Sequence, residues 1–202
     1  VWDATLGGRV GLLRYGTTST ETPEGWQFDL EGAAMPRLDP SQDSSPLVAC
    51  DYRFGFPLTY GSGPFHAKLG YYHLSSHLGD EWMLLNPMIP RINYVRDAVI
   101  MGIGYYFWNQ IRVYGEVAYA IGRDGGAEPL ELQFGVEYSP INCTSKWGSP
   151  FAAVNGHLRQ ELDFGGDLTV QAGWQWRHGA SARRFRIGVQ FYDGYSEQWE
   201  LY

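Results

Sequence analysis

Alternation of apolar and polar residues dominates the chain. In Trp26-Gln27-Phe28-Asp29-Leu30-Glu31 the residues Trp26, Phe28 and Leu30 fall on one face of an extended chain and Gln27, Asp29 and Glu31 on the other, because successive strand side chains point to opposite faces. The pattern recurs. Leu130, Leu132, Phe134, Val136 and Tyr138 oppose Glu131, Gln133 and Glu137. Leu168, Val170, Ala172, Trp174 and Trp176 oppose Thr169, Gln171, Gln175 and Arg177, and Phe185, Ile187, Val189 and Phe191 oppose Arg184, Arg186 and Gln190. These rows predict strands near 2–15, 25–36, 47–60, 64–77, 91–108, 110–122, 129–139, 150–163, 167–178, 183–193 and 196–202. The separators Gly61-Ser62-Gly63-Pro64, Asp124-Gly125-Gly126, Gly165-Gly166-Asp167 and Asp193-Gly194 have turn chemistry. Hairpins therefore join successive strands into an antiparallel meander.

Composition narrows the class. The 202 residues carry no internal composition break and read as one domain, 1–202. With 26 Gly, 16% aromatic and only 18% charged residues, the chain suits an all-β barrel with many turns better than a helical protein. No apolar run approaches the roughly 18 to 20 residues of a membrane-spanning helix. No basic n-region or apolar h-region opens the chain; Val1-Trp2-Asp3 reads as the start of a strand, compatible with a leader removed upstream. A net charge of −7 excludes a general nucleic-acid binder. Arg183, Arg184 and Arg186 are the only basic cluster, and their alternation with Phe185 and Ile187 reads as a solvated or lumenal face. Cys50 and Cys143 are too few for a disulfide framework; two free thiols are the favoured reading and one bridge the alternative.

Alternation alone leaves open whether the apolar face points into a soluble core or out into lipid. Three features favour lipid: a charged and amide-rich opposite face in strand after strand, aromatics at strand ends (Tyr60, Tyr138, Trp174, Trp176, Trp199, Tyr202), and several strands of ten residues or more. The expectation is a transmembrane, antiparallel, up-and-down β-barrel of about 10–12 strands in the bacterial outer membrane, closed, with outer-membrane lipids as its partners. A soluble β-barrel binding module is the alternative. Bacterial single-chain barrels have even strand numbers, so eleven predicts one strand missed or lying outside the chain. The connections 78–90 and 139–150 are both long but of opposite parity, which predicts a misplaced element between 139 and 165.

One strand carries candidate chemistry. His73 and Ser75 end the otherwise apolar row Phe65, Ala67, Leu69, Tyr71, and such a row should not carry polar groups without a reason. An antiparallel partner strand across a loop centred near 83–85 sets His73 beside Asn93 or Asp97. Base, hydroxyl and orienting group then meet, as a nucleophilic triad requires. The competing reading is a hydrogen-bonded polar cap at the membrane interface. His73 and His77, four residues apart on a strand, lie about 13 Å apart, too far to share one ion; Asp80 and Glu81 in the following loop could hold Ca²⁺. Asn155, His157, Arg159 and Glu161 form a second polar row, read as a lumenal hydrogen-bond network or as a solute site with Asp51, Arg53, Glu116 and Glu137 as neighbours.

His73-Leu74-Ser75-Ser76 resembles the His-x-Ser-Asn element of the outer membrane phospholipase A family and the His-x-Ser of PagL-type lipid A deacylases, with Ser76 where those enzymes have Asn. The resemblance implies lipid-acyl hydrolysis with His73 as base, Ser75 as nucleophile and Asn93 as orienting residue. Over a wider span, Gly70–Glu81, Arg91–Asp97 and Ala153–Arg159 resemble an uncharacterised family of bacterial barrel-type proteins, a domain of unknown function. The functional expectation is an outer-membrane barrel whose activity the sequence leaves open, with a serine esterase or lipase site acting on membrane lipid acyl chains as its enzymatic candidate. Its alternative is a non-enzymatic barrel acting as a narrow channel or structural envelope protein.

Overall fold

The alternating segments form eleven strands in the computed structural model, which describes residues 1–17, 24–140, 146–177 and 184–201. They are β1 (Trp2–Asp3), β2 (Leu6–Gly16), β3 (Gly25–Leu38), β4 (Leu47–Ser62), β5 (Phe65–Leu78), β6 (Val95–Phe107), β7 (Ile111–Asp124), β8 (Leu130–Tyr138), β9 (Ser149–Arg159), β10 (Gly166–Arg177) and β11 (Arg184–Gly194). From β3 onward each strand pairs antiparallel with its sequence neighbours. β1 and β2 both pair with the same edge of β3, at Leu38 and Arg37 and then from Ala34 to Gly25. They form one strand line interrupted at Ala4-Thr5, so the sheet is ten lines wide. A bulge at Leu12 re-registers β2 between Gly11 and Leu13, keeping Arg9 and Arg14 on one face although an extra residue separates them.

The strand expected at 196–202 is corrected by the structure. Trp199–Leu201 is a 3-10 turn folded against the concave side of the sheet, while Tyr202 lies outside the described residues. Trp199, read as part of an interfacial girdle, is instead an interior side chain. The physical reason is that Glu200 and Trp199 find stronger partners inside than a ladder would offer. The 78–90 connection also differs from its reading as a loop: it contains a six-residue helix, α1 (Asp80–Leu85), and β6 begins only at Val95. The parity conflict, by contrast, is a real property of the fold. Residues 79–94 and 139–148 connect strands at opposite ends of the sheet, and β9 stands where alternation puts it, followed by a 3-10 turn at Gln160–Leu162. Among the described residues no helix is long and apolar enough to cross a membrane.

The sheet curls into a half-barrel that does not close. β2 and β11 are its edges and do not pair with each other among the described residues, so each edge keeps a row of unpaired backbone groups. The closed outline expected from sequence is thereby corrected. The facing of the rows is as the alternation predicts. Trp26, Leu30, Phe56, Leu69, Met101, Ile121, Phe134, Trp174 and Val189 lie on the convex face in contact with no covering layer, Ile121 and Val189 remaining 66% and 76% exposed. Asp29, Glu131 and Gln175, from the opposite rows, are buried. Near the end that carries the 62–65, 107–111 and 177–184 connections, convex-face aromatics form a row across most strands. Tyr15 stacks on Trp26, Trp26 is in register with Tyr60, Phe65 with Tyr105, and Trp176 packs on Phe185.

Burial of apolar side chains is concentrated at the other end, on the concave side. There Tyr72, Leu74, Tyr94, Ala98, Ala118, Ala120 and Ala127 cluster, with Ile92, Ile100 and Trp199 against them. The alanines leave room for the inward-folded C-terminal segment.

Candidate functional site

β5 and β6 bring His73 and Asp97 directly opposite each other on the convex face. His73 Nδ1 lies 2.9 Å from Asp97 Oδ1, and Tyr71 donates its hydroxyl proton to the same carboxylate oxygen at 2.5 Å. The imidazole packs on Phe54, ring centroids 5.1 Å apart. Ser75 lies on the same face, in register with Val95 and Tyr52, and its hydroxyl makes no hydrogen bond to His73. Asn93 is not on the strand: it precedes β6 with φ 54°, and its side chain is exposed. The structure therefore assembles base and carboxylate, sets the hydroxyl nearby without a hydrogen bond, and leaves Asn93 apart. From Phe65 and Tyr105 in the aromatic row to His73 and Asp97 is eight residues, about 26 Å of strand. The dyad sits at the opposite margin of the apolar belt.

The concave face is a web of ion pairs. Arg9 pairs with Asp29, Arg53 lies 3.7 Å from Glu31, and Lys68 Nζ lies 2.7 Å from Glu116 Oε2. Fully buried Arg96 binds Glu131 at 3.2 Å and the Tyr72 hydroxyl at 3.1 Å, and donates to the Glu128 and Pro129 carbonyls at 2.5 and 2.8 Å. Tyr72 in turn donates to Glu131 Oε2, and His157 sets Nε2 2.7 Å from Glu131 Oε1 and Nδ1 3.4 Å from Asp167. A buried charge is tolerated only when paired and hydrogen-bonded, and this cluster meets that condition. A cavity of about 350 Å³ opens between Arg53, Lys68, Glu116, Glu131 and His157, with Trp199 as part of its wall. Of the proposed second polar row, His157 joins this cluster and Asn155 donates to the Tyr114 hydroxyl at 2.7 Å.

The sequence profile of the family described as "Protein of unknown function (DUF1207)" matches residues 1–202. The chain belongs to that family. No curated protein and no solved structure matches it.

In this DUF1207 chain the C-terminal segment straps the curled sheet. Glu200 accepts from three consecutive backbone N–H groups, Ile92, Asn93 and Tyr94, at 2.8, 2.9 and 3.0 Å. The left-handed φ of Asn93 turns these groups toward one point, the concave anion-binding arrangement of a backbone nest; Asn is among the few non-Gly residues that adopt it cheaply. Trp199 packs on Tyr94 and His157 and under the Arg159 guanidinium. Gln198 donates to the Met35 carbonyl, Arg37 reaches Ser196, and Ser76 Oγ, itself bonded to Asp51, accepts from the Glu200 N–H. One short segment thus ties β3, β5, β6 and β9 together. On it, burial together with the nearby Asp3 charge pushes the Glu197 carboxyl above the ordinary range, against the pull of Arg37.

Asp80 and Glu81 occupy the first turn of α1, where Glu81 accepts from Ser44 at 2.5 Å. Among the described residues no group of three or more His, Cys, Asp or Glu could hold a metal ion; a Ca²⁺ site there would draw on two carboxylates at most. Cys50 is a buried free thiol and Cys143 lies outside the described residues. The alternation did not single out the buried Tyr72–Arg96–Glu131 cluster or the Glu200 contact with the 92–94 backbone. Tyr72 and Arg96 alternate inward in step with their strands, a signal present in the pattern, whereas nothing local marks Glu200.

Proposed function

We propose that this DUF1207 chain is a bacterial outer-membrane protein of barrel type, its convex belt in contact with lipid and its charged, strapped interior serving a structural or narrow-channel role. The observation that carries the reading is the exposed apolar belt. Soluble monomers rarely expose contiguous apolar patches beyond a few hundred Å², yet here outward rows on strand after strand are apolar and uncovered. The aromatic row at one margin and the polar dyad at the other bracket a band of the height expected for lipid contact. Paired charges and the Trp199 strap obstruct the interior, which favours small or absent ion conduction over a wide pore. The test is to fold the protein in detergent and in lipid vesicles carrying brominated acyl chains. Quenching of Trp fluorescence in the vesicles supports the reading; a monodisperse protein in plain buffer, with no quenching, overturns it.

A second reading, lipid-acyl hydrolysis on the same face, is favoured by one observation, the His73–Asp97 pair at 2.9 Å. A base already oriented by a carboxylate at the edge of a lipid-facing belt would meet ester bonds at the depth where they lie. Its test is mutational and separates it from the structural reading of the same residues.

A further inference from the structure

At the aromatic-row end of the concave face, three guanidinium groups converge on one carboxylate and a fourth reaches the same cluster through a shared hydroxyl. Arg112, Arg184 and Arg186 lie 3.3, 3.7 and 2.5 Å from Glu137, and Arg177 joins them through Ser139. The hydroxyl of buried Ser139 receives N–H groups from Arg177, Arg184 and Arg186 at 3.0, 3.4 and 2.9 Å while donating to Gln175. A hydroxyl oxygen offers two lone pairs, so donors outnumber acceptors there. Gln175 Oε1 is equally oversubscribed, accepting from Ser139 and twice from Arg186. The Nε groups of Arg112 and Arg177 are buried without a partner. The flanking connections add no acid: 139–148 and 178–183 contain no Asp or Glu, though they do hold Lys146 and Arg183. The cluster is cationic although the chain as a whole carries a net charge of −7.

We infer that this cluster is an oxyanion site for a dianionic phosphate group, free or carried on a lipid headgroup. Guanidinium forks match phosphate oxygens in pairs, and each charge-assisted bond is about twice as strong as a neutral one. A dianion brings the four cations and Glu137 close to neutrality and supplies acceptors for the arginine N–H groups that now share Ser139 and Gln175 or have no partner. Repulsion among partly buried guanidiniums makes the unliganded cluster a poor end state. The site lies on the concave face and holds whatever covers the convex one.

The test is calorimetric titration of the detergent-folded protein with inorganic phosphate, against chloride at matched ionic strength, and separately with mixed micelles containing short-chain phosphatidic acid. Saturable binding of phosphate and not of chloride is expected, weakened about tenfold or more in Arg177→Gln and less in Arg177→Lys, which keeps the charge but loses the fork. Glu137→Gln should bind more tightly, an effect that a purely structural carboxylate would not give. Binding only in the phosphatidic acid arm assigns the phosphate to a lipid. No saturable binding in either arm, or equal binding by wild type and all three variants, overturns the inference.

Discussion

His73 and Asp97 face each other across the β5–β6 ladder on the convex side, 2.9 Å apart, with Tyr71 bonded to the same carboxylate. If this pair activates Ser75, then Ser75→Ala and His73→Ala should each abolish hydrolysis of a short-chain ester or phospholipid. The double variant should lose no more than either single one, and Asp97→Ala should retain a residue of activity, since it orients without bond making. If the pair is a polar cap, wild type hydrolyses nothing, and Asp97→Ala lowers stability by about 1–3 kcal/mol by stranding two donors. Ester hydrolysis and urea unfolding, measured on the same folded samples, decide between them.

The belt predicts a sharp asymmetry between faces. Met101 lies mid-strand on the convex face, 57% exposed, and Met101→Arg should cost about 2–4 kcal/mol of folding free energy in vesicles. Gln171, on the concave face and bonded to Gln190, should tolerate Gln171→Arg within about 0.5 kcal/mol. Equal costs for the two would argue against lipid contact.

Removing Arg96 strands Glu131 in a buried site. Arg96→Met should destabilise by about 3–5 kcal/mol, and adding Glu131→Gln should recover part of the loss, because the uncompensated charge disappears. Denaturant unfolding of the single and double variants measures this coupling.

The strap predicts a local effect rather than a global one. Glu200→Ala leaves the Ile92, Asn93 and Tyr94 N–H groups without their acceptor, a loss of about 1.5–3 kcal/mol in docking of the C-terminal segment. Hydrogen exchange at residues 92–94 should accelerate while mid-strand amides stay protected.

Glu197 gives the same strap a pH dependence. Its carboxyl is raised in the folded protein by burial and by Asp3, so the folded state holds this proton more tightly than the unfolded one. Its favourable contribution is complete below the ordinary carboxylate pKa and is lost as pH rises through the raised one. Proteolysis of the C-terminal segment should therefore slow as pH falls from neutral into the carboxylate range, and Glu197→Gln should flatten that response. Solvent exposure of the side chain keeps the effect small.

The strands and their facing were legible in the sequence because a period of two is a local property: each residue's face follows from its neighbours. Turn residues at 61–64, 124–126 and 165–167 marked hairpins, whereas Asp193-Gly194 leads into a 3-10 turn and not a further strand; the loop centre near 83–85 set His73 beside Asn93 or Asp97, and the ladder decides for Asp97. What the pattern could not carry is anything depending on contacts between distant lines of the sheet. Residues 196–202 alternate weakly and read as one more strand; only the nest at 92–94 and the space beside Tyr94 and His157 turn Trp199 and Glu200 inward. Whether Ser75 bonds to His73 depends on side-chain rotation, to which periodicity is blind. Arg112 lies far along the chain from Arg184 and Arg186, and only the curl of the sheet brings all three to Glu137, with Arg177 beside them on Ser139. Closure follows the same division: hairpins order the strands, but whether β2 meets β11 is decided by curvature summed over ten lines, a quantity no single segment encodes.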